Sequence, residues 1–509
     1  MTSNHLVIIG GGIAGITCAE SYCFVKPNDR VTILSCSPIL KTVTNVQKIS
    51  KVLESFEVFE SKFTDIEFSH PNIKVTVCDV DSIDSKNRVV KTDQGDIKYD
   101  FLAICSGAKP NLIIKDSPFV IGIRDTDSII DLKNRLNGAK RIVIVGNGGI
   151  ALELVHEIKD CEKIWSIKDS HIGNAFFDRE ASQFLLHSKQ PEQEEEGDNI
   201  IFENGNPNHH TLSNLSTPSK YKNEKGSALG PQWYSKYNFN TQEQQQQDHA
   251  EKTVIEYNTQ LDTIYSERPP SVDLVDGDTK QWPVYIKLSN GRIYGCDFIV
   301  SATGVIPNSV ILTKNHAEVA VSEDGGLVVD ENMKTSIDRI YACGDVCFVP
   351  WKKSDLWFQM KLWSQARTMG RYTAQCIAKQ SAVQAGKSAD EIDEICSLFD
   401  FELFAHATKF FGFKVVLLGL YNGQTLGIDP SDDSVNENND KGIKIYKRII
   451  IGQQYVRIIL EHGKLKGALL IGDTDLEETF ENLILNQIDL SNYGEELLDP
   501  DIDIEDYFD

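Results

Sequence analysis

The residues best suited to chemistry lie in two glycine-rich turns, Val7-Ile-Ile-Gly-Gly-Gly-Ile-Ala-Gly15 and Ile142-Val-Ile-Val-Gly-Asn-Gly-Gly-Ile-Ala151. Each follows an apolar run and opens a helical pattern. In the first, Gly10 permits a tight turn and Gly12 lets backbone N–H groups reach a pyrophosphate. Ile13 and Ala14 begin a helix whose N-terminus adds partial positive charge, and Gly15 allows that helix to pack closely on its strand. Gly146, Gly148 and Ala151 repeat the arrangement. One such turn is a weak signal, but two at this separation imply two dinucleotides. Further on, Tyr341-Ala-Cys-Gly-Asp-Val346 follows a strand, and Asp345 there could accept hydrogen bonds from the sugar-chain hydroxyls of a cofactor.

The elements that must hold these turns show in the periodicity. From Leu6 to about Pro110 the order is strand, glycine turn, helix, then a β-rich run closing on Ser106-Gly107-Ala-Lys-Pro110. From Arg141 to Pro307 the plan recurs, closing on Thr303-Gly304-Val-Ile-Pro307. The fold predicted is α/β, with two Rossmann-like dinucleotide-binding domains and a C-terminal α+β domain. The first nucleotide domain is expected over residues 1–138 and 307–385, the second over 139–306, and the last over 386–509.

Within the second domain, residues from about 188 to 280 turn polar, with Glu192 to Glu196, paired His209 and His210, and a run from Gln244 to Gln247. A solvated surface insertion is predicted, with metal or partner binding by the His pair or glutamine run as the lesser alternative. Only Gly226-Ser-Ala-Leu-Gly-Pro-Gln-Trp233 looks able to dock. From Asp489 onward the chain carries nine acidic groups and no basic one, which predicts a solvated tail, although interspersed Leu, Ile, Tyr and Phe leave room for a docking peptide.

At 509 residues the chain exceeds one hydrophobic core, so two to four domains are expected. Its formal charge of −24 opposes broad binding to nucleic acid or anionic membranes. Eleven cysteines, scattered without a disulfide or metal spacing, predict a reducing cytoplasmic or nuclear setting and no metal. No apolar run approaches the roughly 20 residues of a membrane span. The first strand starts so near Met1 that no leader segment is expected.

The first turn, Ser-Gly-Ala-Lys-Pro, the second turn, Ala-Thr-Gly-x-x-Pro-Asn and the Gly-Asp segment, in that order, resemble the flavoproteins with two dinucleotide-binding domains, the class I pyridine nucleotide-disulphide oxidoreductases. The resemblance covers about Leu6 to Arg371 apart from the insertion. It implies FAD on Gly10, Gly12, Ile13, Ala14 and Gly15, with Ser35, Ser106, Gly107, Gly344 and Asp345 around it. It likewise implies NAD(P)H on Gly146, Gly148 and Ala151, with Glu153, Lys168, Thr303 and Gly304 nearby. A role in the oxidative-stress response is also implied.

Departures from that family matter as much as matches. Its disulphide reductases carry a Cys-x4-Cys pair soon after the second strand, where Ser37-Pro-Ile-Leu-Lys-Thr-Val-Thr-Asn45 stands here. Alignment puts Asn45 near the single cysteine of related peroxidases. The same spacing does occur as Cys18 and Cys23, but on the first helix, where residues five apart diverge at 3.6 residues per turn, so both are read as packing. The family's C-terminal His-Glu pair is missing, because His406 has no carboxylate beside it. Lys41 could tune the flavin as a nearby cation, or be a surface lysine. Trp363 could flank the ring, or pack in the core. Ser35 takes the place where a carboxylate often binds the ribose of FAD, and Lys168 the corresponding place for NAD(P)H, which predicts that a 2′-phosphate is tolerated.

The function expected is therefore a FAD-dependent NAD(P)H oxidoreductase with no protein nucleophile. Its partners would be NAD(P)H and an electron acceptor the residues do not specify. The alternative is a nucleotide-sensing binding protein of low turnover that docks a protein through the insertion or the tail.

Overall fold

The computed structural model describes residues 3–159, 161–187, 230–231, 233–236, 239, 252–269, 274–388, 401–428, 437–438 and 442–499. His209, His210, the glutamine run and the end of the acidic tail lie outside the described residues. None of the described helices is long and apolar enough to cross a membrane.

Two five-stranded parallel sheets carry the glycine turns. In the first, the strands run Ile340–Ala342, Phe101–Ile104, His5–Ile9, Arg30–Ser35, Ile73–Val77 across the sheet. In the second, they run Val120–Gly122, Phe298–Ser301, Arg141–Val145, Glu162–Ser166, Thr253–Glu256. The turn-bearing strand sits at the centre of each. Both central strands are buried throughout, as parallel strands covered on two faces must be. The duplication extends to an antiparallel three-stranded meander in each half, at Val80–Asp84, Val89–Thr92 and Gly95–Lys98, and at Leu261–Tyr265, Val284–Leu288 and Ile293–Cys296.

The predicted insertion is narrower than its composition suggests. The chain rejoins the second sheet at Thr253, where Thr253–Glu256 pairs in parallel with Lys163–Ser166. Its acidic residue Glu256 hid this edge strand, because that carboxylate is buried against Arg292 and Tyr294, partners that lie far along the chain.

The first helix, Ile13–Val25, is buried on most of its circumference because the helix Trp363–Gln384 covers the side away from the sheet. Cys18 and Cys23 are both buried there. Close approach of the two helices depends on Gly370, where a Cβ would lie 2.4 Å from the Ala14 carbonyl oxygen.

The C-terminal domain is a six-stranded antiparallel sheet, ordered Ala405–Phe410, Phe413–Gly419, Lys464–Ile471, Gln454–Glu461, Ile443–Ile450, Glu437–Asn438. The helix Glu477–Asn486 covers it, as the alternation followed by helical periodicity predicts. The beginning of the acidic stretch packs as well: Leu497 and Leu498 are buried, and Arg448 Nη1 donates to the Leu498 carbonyl at 3.0 Å.

After the strand Arg30–Ser35 the chain forms an antiparallel hairpin, Ile39–Lys48 with Glu54–Lys62. Its tip is held by one buried carboxylate from the C-terminal domain. Glu481 accepts hydrogen bonds from the Ser50 hydroxyl, from Val52 N–H at 2.8 Å and from Leu53 N–H at 3.0 Å. Removing it takes the charged acceptor from the half-buried Val52 N–H and leaves Leu53 N–H only the Ser50 hydroxyl at 3.2 Å, and hydrogen bonds to a charged group are worth about 1.5–3 kcal/mol each. Glu481→Ala is therefore expected to lower stability by about 3 kcal/mol in urea unfolding and to speed amide exchange in residues 50–53. An unchanged unfolding midpoint would show that the clamp carries no stability.

Candidate dinucleotide site

Each glycine turn is forced by a neighbouring strand. Gly10 has φ +122°, and a Cβ there would lie 2.2 Å from the Cys105 carbonyl oxygen. Gly146 has φ +131°, and its Cβ would lie 2.1 Å from the Ala302 carbonyl oxygen. Only glycine meets both conditions. The chain then enters helices Ile13–Val25 and Gly149–Glu157 through Gly12 and Gly148. Neither helix has a side-chain cap or an acidic residue in its first turn, so the terminal N–H groups and positive dipole end are left for an anion.

Both turns open on one cavity of about 960 Å³, at the upper end of the range of roughly 300–1,000 Å³ typical of ligand sites. Its wall includes Gly10, Gly12, Ile13, Ala14, Ser35, Ser106 and Gly107. The second part of the same domain adds Gly344, Asp345 and Trp363, and the other nucleotide domain adds Gly148, Glu153 and Gly304. Gly15, Gly146, Ala151 and Thr303 stand behind this wall. A Cβ on Gly15 would lie 2.0 Å from the Gly10 carbonyl oxygen, Ala151 is buried in the core, and Thr303 Oγ1 donates to the Asn111 carbonyl at 2.8 Å.

Three expected residues are placed elsewhere. Lys41 is buried but off the wall, its ammonium paired with Glu60 Oε1 at 2.6 Å. The two are register partners in the hairpin, so their side chains share a face. Asn45 lies at the hairpin's irregularity with φ 49°, donating to Glu57 Oε2 at 2.7 Å. It misses the cavity because the left-handed backbone at this irregularity leaves it exposed beside the partner strand. Lys168 is exposed beyond the strand Glu162–Ser166. Its neighbour Asp169 is drawn to the glycine turn instead, accepting from Asn147 Nδ2 at 2.9 Å.

Other wall residues escaped the sequence reading. Arg124 Nη2 pairs with Asp345 Oδ2 at 3.1 Å, while its Nε donates to the Ala108 carbonyl at 2.6 Å. No periodicity marks that arginine. His406, Thr408 and Phe410 close the cavity from the C-terminal sheet, and their period-two spacing on the strand Ala405–Phe410 is the signal that could have grouped them. His406 Nδ1 lies 2.9 Å from Ser364 Oγ, and burial lowers the imidazole to about 4, so it is neutral at physiological pH.

Glu153 is the wall's most perturbed acid. Burial pushes its carboxyl up to about 8, against a hydrogen bond from Trp233 that pulls it down and with Glu157 adding to the rise. Cys36, Cys78, Cys105 and Cys343 also reach the wall. Cys105 Sγ and Cys343 Sγ lie 3.4 Å apart, and that contact together with burial holds the Cys105 thiol far above its ordinary value.

The family model for pyridine nucleotide-disulphide oxidoreductases matches residues 4–191 and 247–370. The chain belongs to this family. It is 61% identical to the Dictyostelium discoideum protein named pyridine nucleotide-disulfide oxidoreductase domain-containing protein 1, with both chains covered in full. It is 46% identical to the human protein of that name, covering 100% of this chain and 98% of the other. A ferredoxin reductase from Rhodopseudomonas palustris superposes with a TM-score of 0.63 at 16% identity, covering 99% and 100% of the two chains. The water-forming NADH oxidase of Lactobacillus brevis gives 0.60 at 14% identity, covering 96% and 92%. The cofactors of the family, FAD and NAD(P)H, fit the paired uncapped helix ends and the volume between them.

The two glycine turns separate by substitution. Gly10→Ala is expected to yield protein without bound flavin. Gly146→Ala is expected to retain a yellow colour while its affinity for NAD(P)H falls at least tenfold, measured by visible absorbance and nucleotide titration. Loss of flavin from both, or from neither, would refute the assignment of one nucleotide to each turn.

Proposed function

We propose that this chain is a FAD-dependent NAD(P)H oxidoreductase that operates without a thiol relay. The carrying observation is that two uncapped helix N-termini, one from each duplicated sheet, converge on one cavity. Gly10 to Ala14 would hold the FAD pyrophosphate, and Gly148 and Gly149 that of NAD(P)H. With both bound, the cofactors supply hydride transfer from nicotinamide C4 to flavin N5.

The chain's own residues align and shield. Arg124 orients Asp345 toward the position expected of the FAD sugar chain. Ile150, Phe176, Leu362 and Phe410 give the wall an apolar stretch that excludes water. His406, uncharged at neutral pH, introduces no fixed cation. Lys41 is neutralised by Glu60, which leaves flavin tuning to other groups. Absence of a thiol relay is supported by the buried, protonated state favoured for Cys105 and Cys347. Oxygen, a quinone-like molecule and a partner protein are the acceptor classes compatible with direct transfer. We assign the activity to oxidative-stress defence, following what the sequence resemblance implies, in the reducing cytoplasmic or nuclear setting that the scattered cysteines suggest.

Anaerobic titration with NAD(P)H, followed in the visible spectrum, tests this reading. One equivalent per FAD is expected to complete the bleaching. Uptake of a second equivalent would reveal a reducible disulfide and overturn the thiol-free mechanism, and a colourless protein that cannot be reconstituted would overturn the flavin itself. Lys168 lies off the cavity wall but exposed just past the strand end where the ribose of NAD(P)H would sit, so Lys168→Glu is expected to raise KM for NADPH about tenfold, equivalent to ~1.4 kcal/mol, with a smaller change for NADH. Equal changes for the two nucleotides would remove Lys168 from cofactor choice.

A further inference from the structure

The segment that interrupts the second nucleotide domain returns one aromatic side chain to that domain's helix. Trp233 is only 2% exposed, and its indole Nε1–H donates to Glu153 Oε2 at 2.8 Å. Tyr234 and Phe239 meet its ring edge-on, with centroids 6.1 and 6.0 Å away. These aromatics join the core that contains Ala151, Leu152 and Leu154 of the helix Gly149–Glu157. Just before them, Gly230 lies so close to the hairpin that a Cβ would come within 2.7 Å of Val58 Cβ. The segment thus touches the first nucleotide domain at Val58 and the second at Glu153. It falls between the two stretches matched by the family model, residues 4–191 and 247–370, so Trp233 lies outside the part of the chain that this model covers.

Glu153 follows Gly149 by four residues on one helix and shares with it the face that lines the cavity. A glutamate there has three rotatable bonds and, in an apolar wall, few partners to hold it. Indole N–H is a donor only and does not titrate in the physiological range, so it can hold the carboxyl in one place at every working pH.

We infer that Trp233 is a positioning residue that fixes the Glu153 carboxyl in the wall between the two nucleotides, making the inserted segment a functional part of the NAD(P)H site. The inference rests on the function proposed above. Groups facing the carboxyl are Glu157 from the same helix and Tyr234 from the inserted segment, while His406 lines the same cavity. Burial favours the protonated acid, with Glu157 acting in the same direction, and the indole N–H favours the carboxylate. Loss of the donor therefore moves the titration of Glu153 to higher pH.

The test uses flavin-loaded protein and Trp233→Phe, which keeps an aromatic ring and loses the donor. NADP⁺ binding is read from the perturbed flavin spectrum between pH 6 and 9. In the variant, affinity is expected to fall about tenfold and the pH midpoint to rise by about one unit, with flavin content unchanged. Wild-type affinity and midpoint in Trp233→Phe would overturn the inference. A second measurement covers a variant that fails to fold. In Glu153→Leu, amide exchange in residues 233–236 is expected to accelerate at least tenfold, whereas Glu153→Gln, which retains an acceptor, leaves it near wild type. Equal exchange in all three proteins would also overturn the inference. If wild-type protein binds no nicotinamide nucleotide, the proposed function falls, and the exchange comparison still judges the Trp233–Glu153 tie.

Discussion

The structure depends first on the contact between a glycine turn and the carbonyl oxygen of the adjacent strand. At Gly10 the neighbour is Cys105, at Gly146 it is Ala302, and in both places a Cβ would stand only 2.2 or 2.1 Å from the oxygen. That contact sets the direction in which the chain leaves the central strand. The following helix begins at the strand's carboxyl end with its first N–H groups unpaired. Electrostatics does the rest, because an uncapped N-terminus without an acidic first turn is a standing site for phosphate. Duplication of the sheet duplicates the site, and the cavity exists because two such ends face one another.

Facing ends need a frame, and the C-terminal sheet supplies one through buried polar contacts. Glu481 reaches the hairpin of the first nucleotide domain. On the other side, the single Tyr455 hydroxyl proton is shared between the two carboxylate oxygens of Asp178 in the second nucleotide domain, at 2.9 and 2.8 Å, and Asp178 pairs with Arg457 at 3.0 Å. Neither carboxylate is solvent-exposed, so each demands its partners at the full cost of desolvation. Polar contacts of this kind specify one relative placement more narrowly than apolar packing does, since a small displacement leaves a buried charge unpaired. The strand Ala405–Phe410 is thereby held where His406, Thr408 and Phe410 complete the wall.

The site's electrostatics follow from that closure. A carboxyl raised to about 8 at Glu153 and an imidazole lowered to about 4 at His406 express the same cause, exclusion of water from between the domains. Charged side chains do line the cavity, at Lys109, Arg124, Asp125, Asp345 and Lys361, but none of them belongs to a glycine turn. Anion binding is left to backbone N–H groups, which cannot be titrated away. The partly buried pairing of opposite charges at the wall, Arg124 with Asp345, holds a hydrogen-bonding group in place.

Much of this was written locally. The glycine turns, the duplicated strand order, the alternating C-terminal strands and the packing role of Cys18 and Cys23 follow from short-range periodicity and from the steric singularity of glycine. The departure from the Cys-x4-Cys pattern was likewise visible residue by residue. What the tertiary structure alone decided is which side chains meet across long separations. Lys41 pairs with Glu60 because an unforeseen hairpin puts them in register, Arg124 finds Asp345, and Trp233 reaches Glu153 from a segment whose surroundings read as solvated. Local sequence governs backbone direction and burial through nearest-neighbour sterics. The partner of a buried charge or donor depends on three-dimensional closure, and no spacing along the chain encodes it.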